Sequence, residues 1–386
     1  PALAPSLGRT PRVRPIDAFR IDVPDEVLTD LHDRLARTRL PNAVAGVGWD
    51  QGTDRDLLVA LLDHWRDGYD WRAHEARLNT IPQLVTEVDG QRIHLLHARS
   101  PHEGATPLLL SHGWPGSVVE FLDVVGPLTD PPDPADAFHV VAPSLPGFGW
   151  SGPTQERGWH PRRIASAFAE VMARLGYDRF GAQGGDWGSV ISSNVADLHP
   201  DRVLGLHLNF VAVAAPADGP PPTADEAAAL DAMKAWRRTG AGYQEIQGTR
   251  PQTLGYALED SPAGLAAWIV EKFREWSDAD LPDAFTLDQL LTNVMAYWVT
   301  GTATSSLRIY WEMRQAGAAA VPQRRIEVPT GVAEYPGEIT RFPRAWVEHR
   351  YDVTRWSTPS RGGHFAAMEA PDVFVDDVRA FFRGLA

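Results

Sequence analysis

Three short clusters in this chain set a reactive side chain among glycines. In Gly184-Gly185-Asp186-Trp187-Gly188-Ser189, the run before is strand-like (Arg179-Phe-Gly-Ala-Gln183) and the run after, Trp187 to Leu198, is helix-like. Gly184 and Gly188 stand two places either side of Asp186. Small residues there let the backbone turn sharply and push the central side chain outward, as in the pattern usually written G-x-S-x-G. The occupant here is aspartate. A carboxylate is ionised at pH 7, so it attacks carbon without a base to remove its proton, and the product is a covalent ester of the protein. An Asx turn in a plain loop is the competing reading, and a strand before with a helix after disfavours it. G-x-G-x-x-G spacing and a Gly-Lys-Ser/Thr run are both absent, which disfavours a nucleotide-binding loop.

The second cluster, His112-Gly-Trp-Pro-Gly-Ser117, follows the apolar run Leu108-Leu-Leu110. In α/β-hydrolases a loop at this point donates one backbone N–H to the oxyanion hole, and the residue after the nucleophile donates the other. Those would be the amides of Trp114 and Trp187. Alone, such a turn reads as a plain strand exit; its place upstream of Asp186 gives it meaning. The third cluster is Gly362-Gly-His364-Phe-Ala-Ala367, near the C-terminal end of the chain. A histidine on a glycine loop after the last strand suits the hydrolase order of nucleophile, acid, histidine. His94 and His97 lie on an expected strand with no third ligand in view, and read as structural.

These side chains need a scaffold, and the pattern around them supplies one. Short apolar runs at Leu108–Leu110, Phe138–Ala142, Arg179–Gln183 and Val203–Leu208 alternate with helical stretches, Ile164–Leu175 and Trp187–Leu198 among them. Such alternation predicts a mostly parallel sheet covered on both faces. Upstream, Val27, Leu28, Leu31 and Leu35 share one helical face, a second helix runs from Asp54 to Trp65, and two strands flank Asp89-Gly90. After residue 211 a proline- and alanine-rich stretch leads into an almost wholly helical region from Asp225 to Ala319. Strand character returns at Ile326–Val332 and Tyr351–Trp356, and a last helix runs from Pro371 to Phe382. The expected organisation is an N-terminal segment (1–98), an α/β core in two parts (99–210 and 321–386) and a helical lid (211–320) at the carboxyl ends of the strands.

Composition removes other classes. Of 386 residues, 44% are hydrophobic and 22% charged, enough for a sizeable core. A net charge of −14 argues against a nucleic-acid surface. With no cysteine, disulfides, thiolate metal sites and cysteine nucleophiles are excluded. No apolar run approaches the roughly 18 residues of a membrane span, and Pro1 to Arg14 shows no secretory h-region. The segment up to Thr10 is expected to fray. The expectation is a cytoplasmic protein without a membrane anchor.

Together, G-G-D-W-G, H-G-W-P and G-G-H-F resemble the epoxide hydrolases of the α/β-hydrolase superfamily. Phe19 to Pro24, Leu40-Pro-Asn42, Trp65 with Tyr69 and Trp71, and Leu78-Asn-Thr80 are similar to the N-terminal segment of the microsomal-type branch. So are Arg238-Thr-Gly-Ala-Gly-Tyr243, Gly248-Thr-Arg-Pro251, Asp260 to Ala267 and Glu271-Lys-Phe273; the likeness runs from about residue 16 onward. The expectation is a departure from the mammalian members in lacking their N-terminal membrane anchor.

The resemblance implies an α/β-hydrolase fold and an epoxide hydrolase that takes a small-molecule epoxide and water, with no cofactor and no metal. It implies two lid tyrosines that hydrogen-bond the ring oxygen, matched by Tyr243 and by Tyr310 in Ser305-Ser-Leu-Arg-Ile-Tyr-Trp-Glu312. A departing alkoxide needs such a donor. Tyr256, Tyr297 and Tyr335 are competitors. The stretch Val328 to Glu338 resembles the family segment that ends in the triad carboxylate, which makes Glu338 the match, with Glu334 and Asp352 as rivals. A haloalkane dehalogenase uses the same aspartyl ester but needs halide-binding donors such as indole N–H groups. A silent binding module on this fold is a further alternative, against which five retained candidate side chains stand. Homodimerisation stays open.

Overall fold

The computed structural model describes residues 15–281 and 283–385. The expected fraying of Pro1 to Thr10 lies outside them. Nine strands form one sheet among the described residues: β1 (Asp17–Phe19), β2 (Gln83–Val88), β3 (Gln91–Ala98), β4 (Thr106–Ser111), β5 (Phe138–Pro143), β6 (Phe180–Gly184), β7 (Val203–Leu208), β8 (Ile326–Ala333) and β9 (Tyr351–Ser357). Their order is β1-β2-β3-β5-β4-β6-β7-β8-β9. From β5 to β9 every pairing is parallel, whereas β1, β2 and β3 join antiparallel. Leu108, Leu109, Leu110, Val140 and Val141 are fully enclosed. A parallel strand covered on both faces cannot alternate, so these strands read as unbroken apolar runs.

The hairpin forms because Asp89 and Gly90 both take positive φ (50° and 75°), the geometry of a turn that matches strand twist. It does not stand apart from the core: β3 pairs with β5 from Leu95↔Pro143 to Ala98↔Val140. Short elements that the sequence reading does not anticipate include β1 and the helices Trp71–Leu78, Leu122–Thr129 and Arg344–Arg350. Asp70 starts the first of these helices by accepting from the amides of Arg72 and Ala73.

Among the described residues, six α-helices lie between β7 and β8: Ala224–Thr239, Gly242–Thr249, Pro251–Asp260, Pro262–Glu275, Leu287–Trp298 and Ala303–Ala316. Thr223 and Thr286 open the first and fifth with reciprocal capping boxes. No helix of the described residues is long and apolar enough to cross a membrane.

Candidate active site

Strand order reverses between β4 and β6, since β4 leads out to β5 on one side while β6 follows on the other. A crevice opens outside the carboxyl ends of the strands at such a point. Asp186 follows β6 by two residues and Trp114 follows β4 by three, so both stand at this crevice.

Asp186 has φ +47°, a left-handed conformation that costs a non-glycine residue about 1–3 kcal/mol. Its neighbours must be glycine for steric reasons. A Cβ on Gly184 would overlap the Gly188 carbonyl, and one on Gly188 would overlap the Ser111 carbonyl at the end of β4. Gly113 is equally constrained, because a Cβ there would strike the Asp186 carboxylate. The strained turn is thus wedged between two strands and holds its side chain out over the sheet. The Trp114 N–H donates to Asp186 Oδ1 at 2.8 Å. The Trp187 N–H lies in the first turn of the helix Asp186–Leu198, where amides lack intrahelical acceptors.

His364 arrives from the loop after β9. Its Nδ1–H donates to both oxygens of Glu338, at 2.9 and 3.0 Å, and both side chains are buried. A parallel bridge, Gly337↔Gly363, brings the two loops together. Glu334 and Asp352 do not take this place: the Glu334 amide donates to Ser357, and the Asp352 carboxylate faces Arg325 at 3.7 Å. On its other side, His364 Nε2 is 3.3 Å from Asp186 Oδ2. Burial disfavours the imidazolium, but Glu338 and Asp186 outweigh it and push the His364 pKa up to about 10.

The loop also binds the helical region. The His364 N–H donates to the Trp276 carbonyl at 2.8 Å, and the Gly362 N–H donates to Asp278 at 3.2 Å. The carboxylate of Glu369 accepts from the amides of both Gly363 and Asp278. The Trp276 indole stands edge-on to the His364 ring, 4.9 Å between centroids.

Tyr243 and Tyr310 converge on the same indole from two helices. Tyr243 stacks on Trp114 at 5.3 Å, and Tyr310 meets it edge-on at 5.7 Å. Their rings are 5.8 Å apart. Burial first, and then the nearby Asp186 charge, raise both phenols well above the usual tyrosine range, so both stay protonated donors. The competitors sit elsewhere. Tyr256 is 72% exposed, the Tyr297 hydroxyl donates to the Gly116 carbonyl, and Tyr335 is enclosed.

His112 is not a second base. Burial lowers its pKa to about 4, and the neutral ring locks the loop: Nδ1 donates to the Gly113 carbonyl, and Nε2 accepts from the Leu145 amide. His94 is likewise structural, with its pKa lowered to about 3 by burial and its ring held between Ser144 and Gln83. His97 bonds the Tyr177 hydroxyl. One carboxyl was missed. Glu120, in the short 3-10 helix Val118–Phe121, lines the same cavity as Asp186 and His364.

A parallel sheet with a carboxylate on the turn after one strand, and a carboxylate–histidine pair after two later ones, defines an α/β-hydrolase. Residues 106–245 match the family model described as alpha/beta hydrolase fold. Residues 16–121 match the one described as Epoxide hydrolase N terminus. The chain is 36% identical to Epoxide hydrolase 1 of Sus scrofa, over 99% of this chain and 91% of that protein. It is 47% identical, over 96% of its own length and 85% of the other, to a Stigmatella aurantiaca protein provisionally named an epoxide hydrolase. The crystal structure of juvenile hormone epoxide hydrolase from Bombyx mori superposes with a TM-score of 0.87 at 31% identity, covering 96% of each chain. The chain belongs to the epoxide hydrolase family.

Proposed function

We propose that this protein hydrolyses an epoxide to a vicinal diol by two displacements, the first made by Asp186. Asp186 attacks an oxirane carbon, a carboxylate O–C bond forms and the ring C–O bond breaks. Tyr243 and Tyr310 give the departing oxygen its proton. In the free enzyme Asp186 and His364 form an anion–cation pair. Once Asp186 is an ester it carries no charge, and one of the two anions that hold the proton on His364 is gone. The histidine's proton then replaces the one lost by the phenols, leaving a neutral imidazole. In the second step His364 takes a proton from water, the water oxygen bonds the ester carbonyl carbon, and the bond to the alkyl oxygen breaks. The other water proton goes to the departing alkyl oxygen and leaves with the diol, the first stays on His364, and the Asp186–His364 pair is restored. Glu338 orients the imidazole and stabilises its charged form. The N–H groups of Trp114 and Trp187 hold the oxyanion.

The observation that carries this reading is the Trp114 N–H hydrogen bond to Asp186 Oδ1. In the ester that oxygen is either the carbonyl oxygen, already seated on an oxyanion donor, or the oxygen that bonds the substrate. We further assign residues 211–320 as a lid that brings the two phenols over Asp186, with 1–98 as the N-terminal segment and 99–210 with 321–386 as the core. The test is a single turnover of an aryl epoxide in oxygen-18 water, with halide release from a haloalkane as control. Label should enter the Asp186 carboxylate first. Label passing directly into the diol would refute the ester.

A further inference from the structure

We propose that Glu120 holds the water that cleaves the ester, as a water-positioning residue for the second step alone. This rests on the two-step reading above. Three independent features place it there.

The first is the path of the side chain. Glu120 follows the His112–Ser117 loop, and its Oε1 fills the volume that a Cβ on Gly116 would need. Gly116 is therefore the condition for the carboxyl to fold back under the loop instead of pointing to solvent. The Tyr297 hydroxyl clamps that same glycine by donating to its carbonyl. The second is the space. Glu120, Asp186 and His364 line one cavity of about 20 Å³, and a single water needs roughly 10–15 Å³ by the same measure. The third is the set of polar atoms facing it. His364 Nε2, Ser111 Oγ and Gln183 Oε1 are buried without an aligned hydrogen-bond partner, and all three residues line this cavity. The 3.3 Å contact of Nε2 with Asp186 Oδ2 is an ion pair without hydrogen-bond alignment, so Nε2 is left to face a water once Asp186 is an ester and the ring is neutral. A polar cavity of this size with several unpaired groups is a water site.

The charges around Glu120 make the site sensitive to the state of the nucleophile. The groups that face it are Asp186, His364, the Ser117 backbone and the Tyr297 phenol. Burial first, and the Asp186 charge, raise its pKa to about 8 against the pull of His364. Before alkylation it is a neutral acid and does not repel the carboxylate beside it. Esterification of Asp186 removes one influence that keeps it protonated, and the loss of the His364 charge removes the pull against it, so Glu120 stays a neutral acid whose carboxyl oxygen accepts the hydrogen that His364 does not take. In the step itself one water O–H proton goes to His364 Nε2, the oxygen bonds the ester carbon, and the second O–H donates to Glu120 without transfer.

The experiment separates the two steps. Wild type, Glu120→Gln and Glu120→Ala are mixed with excess epoxide and quenched over milliseconds to minutes, and the esterified fraction is read by intact mass. Alkylation should stay within about threefold of wild type in both variants. Ester hydrolysis should slow about 100-fold in Glu120→Ala, the scale of a misplaced reactant. It should slow less in Glu120→Gln, whose amide can still bond a water. Glu120→Gln should also lose the part of the pH dependence of hydrolysis that titration of the Glu120 carboxyl gives wild type. Hydrolysis at the wild-type rate in both variants would overturn the proposal, as would equal slowing of both steps, the mark of a merely structural role. If Glu120→Ala does not fold, Glu120→Gln decides by its rate split and pH profile. Failure of the two-step reading looks different: His364→Gln would then show no ester either.

Discussion

Replacing His364 with glutamine tests the division of labour between the two steps. The substitution removes the base and leaves Asp186 with the Trp114 amide at 2.8 Å. Alkylation loses the neighbour at 3.3 Å that returns a proton to the phenols, a proton that solvent must then supply, while the glutamine amide can still donate to Asp186. A slowing of up to about tenfold is the expected scale, some 1.4 kcal/mol. Hydrolysis loses a general base, worth about 10²- to 10⁴-fold. If the wild-type steps have comparable rates, even the smallest of these losses leaves hydrolysis about ten times slower than alkylation in the variant. At least about nine-tenths of the protein should then carry the ester under saturating substrate. Intact-mass measurement should show one added substrate mass per chain, persisting after the substrate is removed, with a single equivalent of alkylation and little diol. A serine hydrolase treated the same way would show no adduct, because there the histidine also creates the nucleophile. A folded His364→Gln protein that binds substrate and stays adduct-free at every time would refute the mechanism and favour direct attack of water on the epoxide.

Other perturbations reach the remaining parts. Tyr243→Phe or Tyr310→Phe should each slow alkylation by about 10²-fold, with the double change nearly abolishing it; stopped-flow Trp fluorescence should report the loss, since both rings lie against Trp114. Gly113→Ala should abolish ester formation while leaving the far-UV circular dichroism unchanged, because its Cβ meets the carboxylate and not the sheet. Asp377→Asn tests stability away from the site: this carboxylate is 2.9 Å from His207, 2.7 Å from Arg355 and 2.9 Å from Ser357, and its loss should cost about 3–5 kcal/mol in urea unfolding. Burial opposes the Asp377 charge, yet those partners hold its pKa below the usual carboxylate range. Its contribution is therefore full above about pH 4 and falls away as pH drops further, so wild type should lose more stability on acidification than the variant.

What the sequence made legible depended on how local the cause was. The turn at Asp186 announces itself because each glycine around it relieves a clash within a few residues or against the adjoining strand. The loop at His112 and the glycines before His364 are legible for the same reason. Glu338 is different. Its meeting with the histidine follows from β8 lying beside β9 and from the Gly337↔Gly363 bridge, so it took resemblance, not residue type, to prefer it to its rival Glu334. The two phenols needed resemblance as well, because among eight tyrosines only the packing of distant helices selects a pair. Glu120 escaped notice because Val-Val-Glu-Phe reads as an ordinary helix with one polar position. What turns it inward is the missing side chain of Gly116, four residues earlier. The hairpin was read at the right residues, but its edge pairing with β5 is a long-range choice that periodicity does not encode.

The bonds that join Trp276 to His364, and Asp278 to Gly362 and through Glu369 to Gly363, have a mechanical consequence. The segment after the fourth inserted helix cannot lift away without taking the imidazole with it. On the lid assignment proposed above, one part of the covering region is joined to the loop that carries His364, while the phenols come from two other helices, Gly242–Thr249 and Ala303–Ala316. Tearing the seam would leave the His364 loop tied to Glu338 by the imidazole bond and the Gly337↔Gly363 bridge alone. On the proposed mechanism, the base that must release the ester is thus steadied from the covering region as well as from the core.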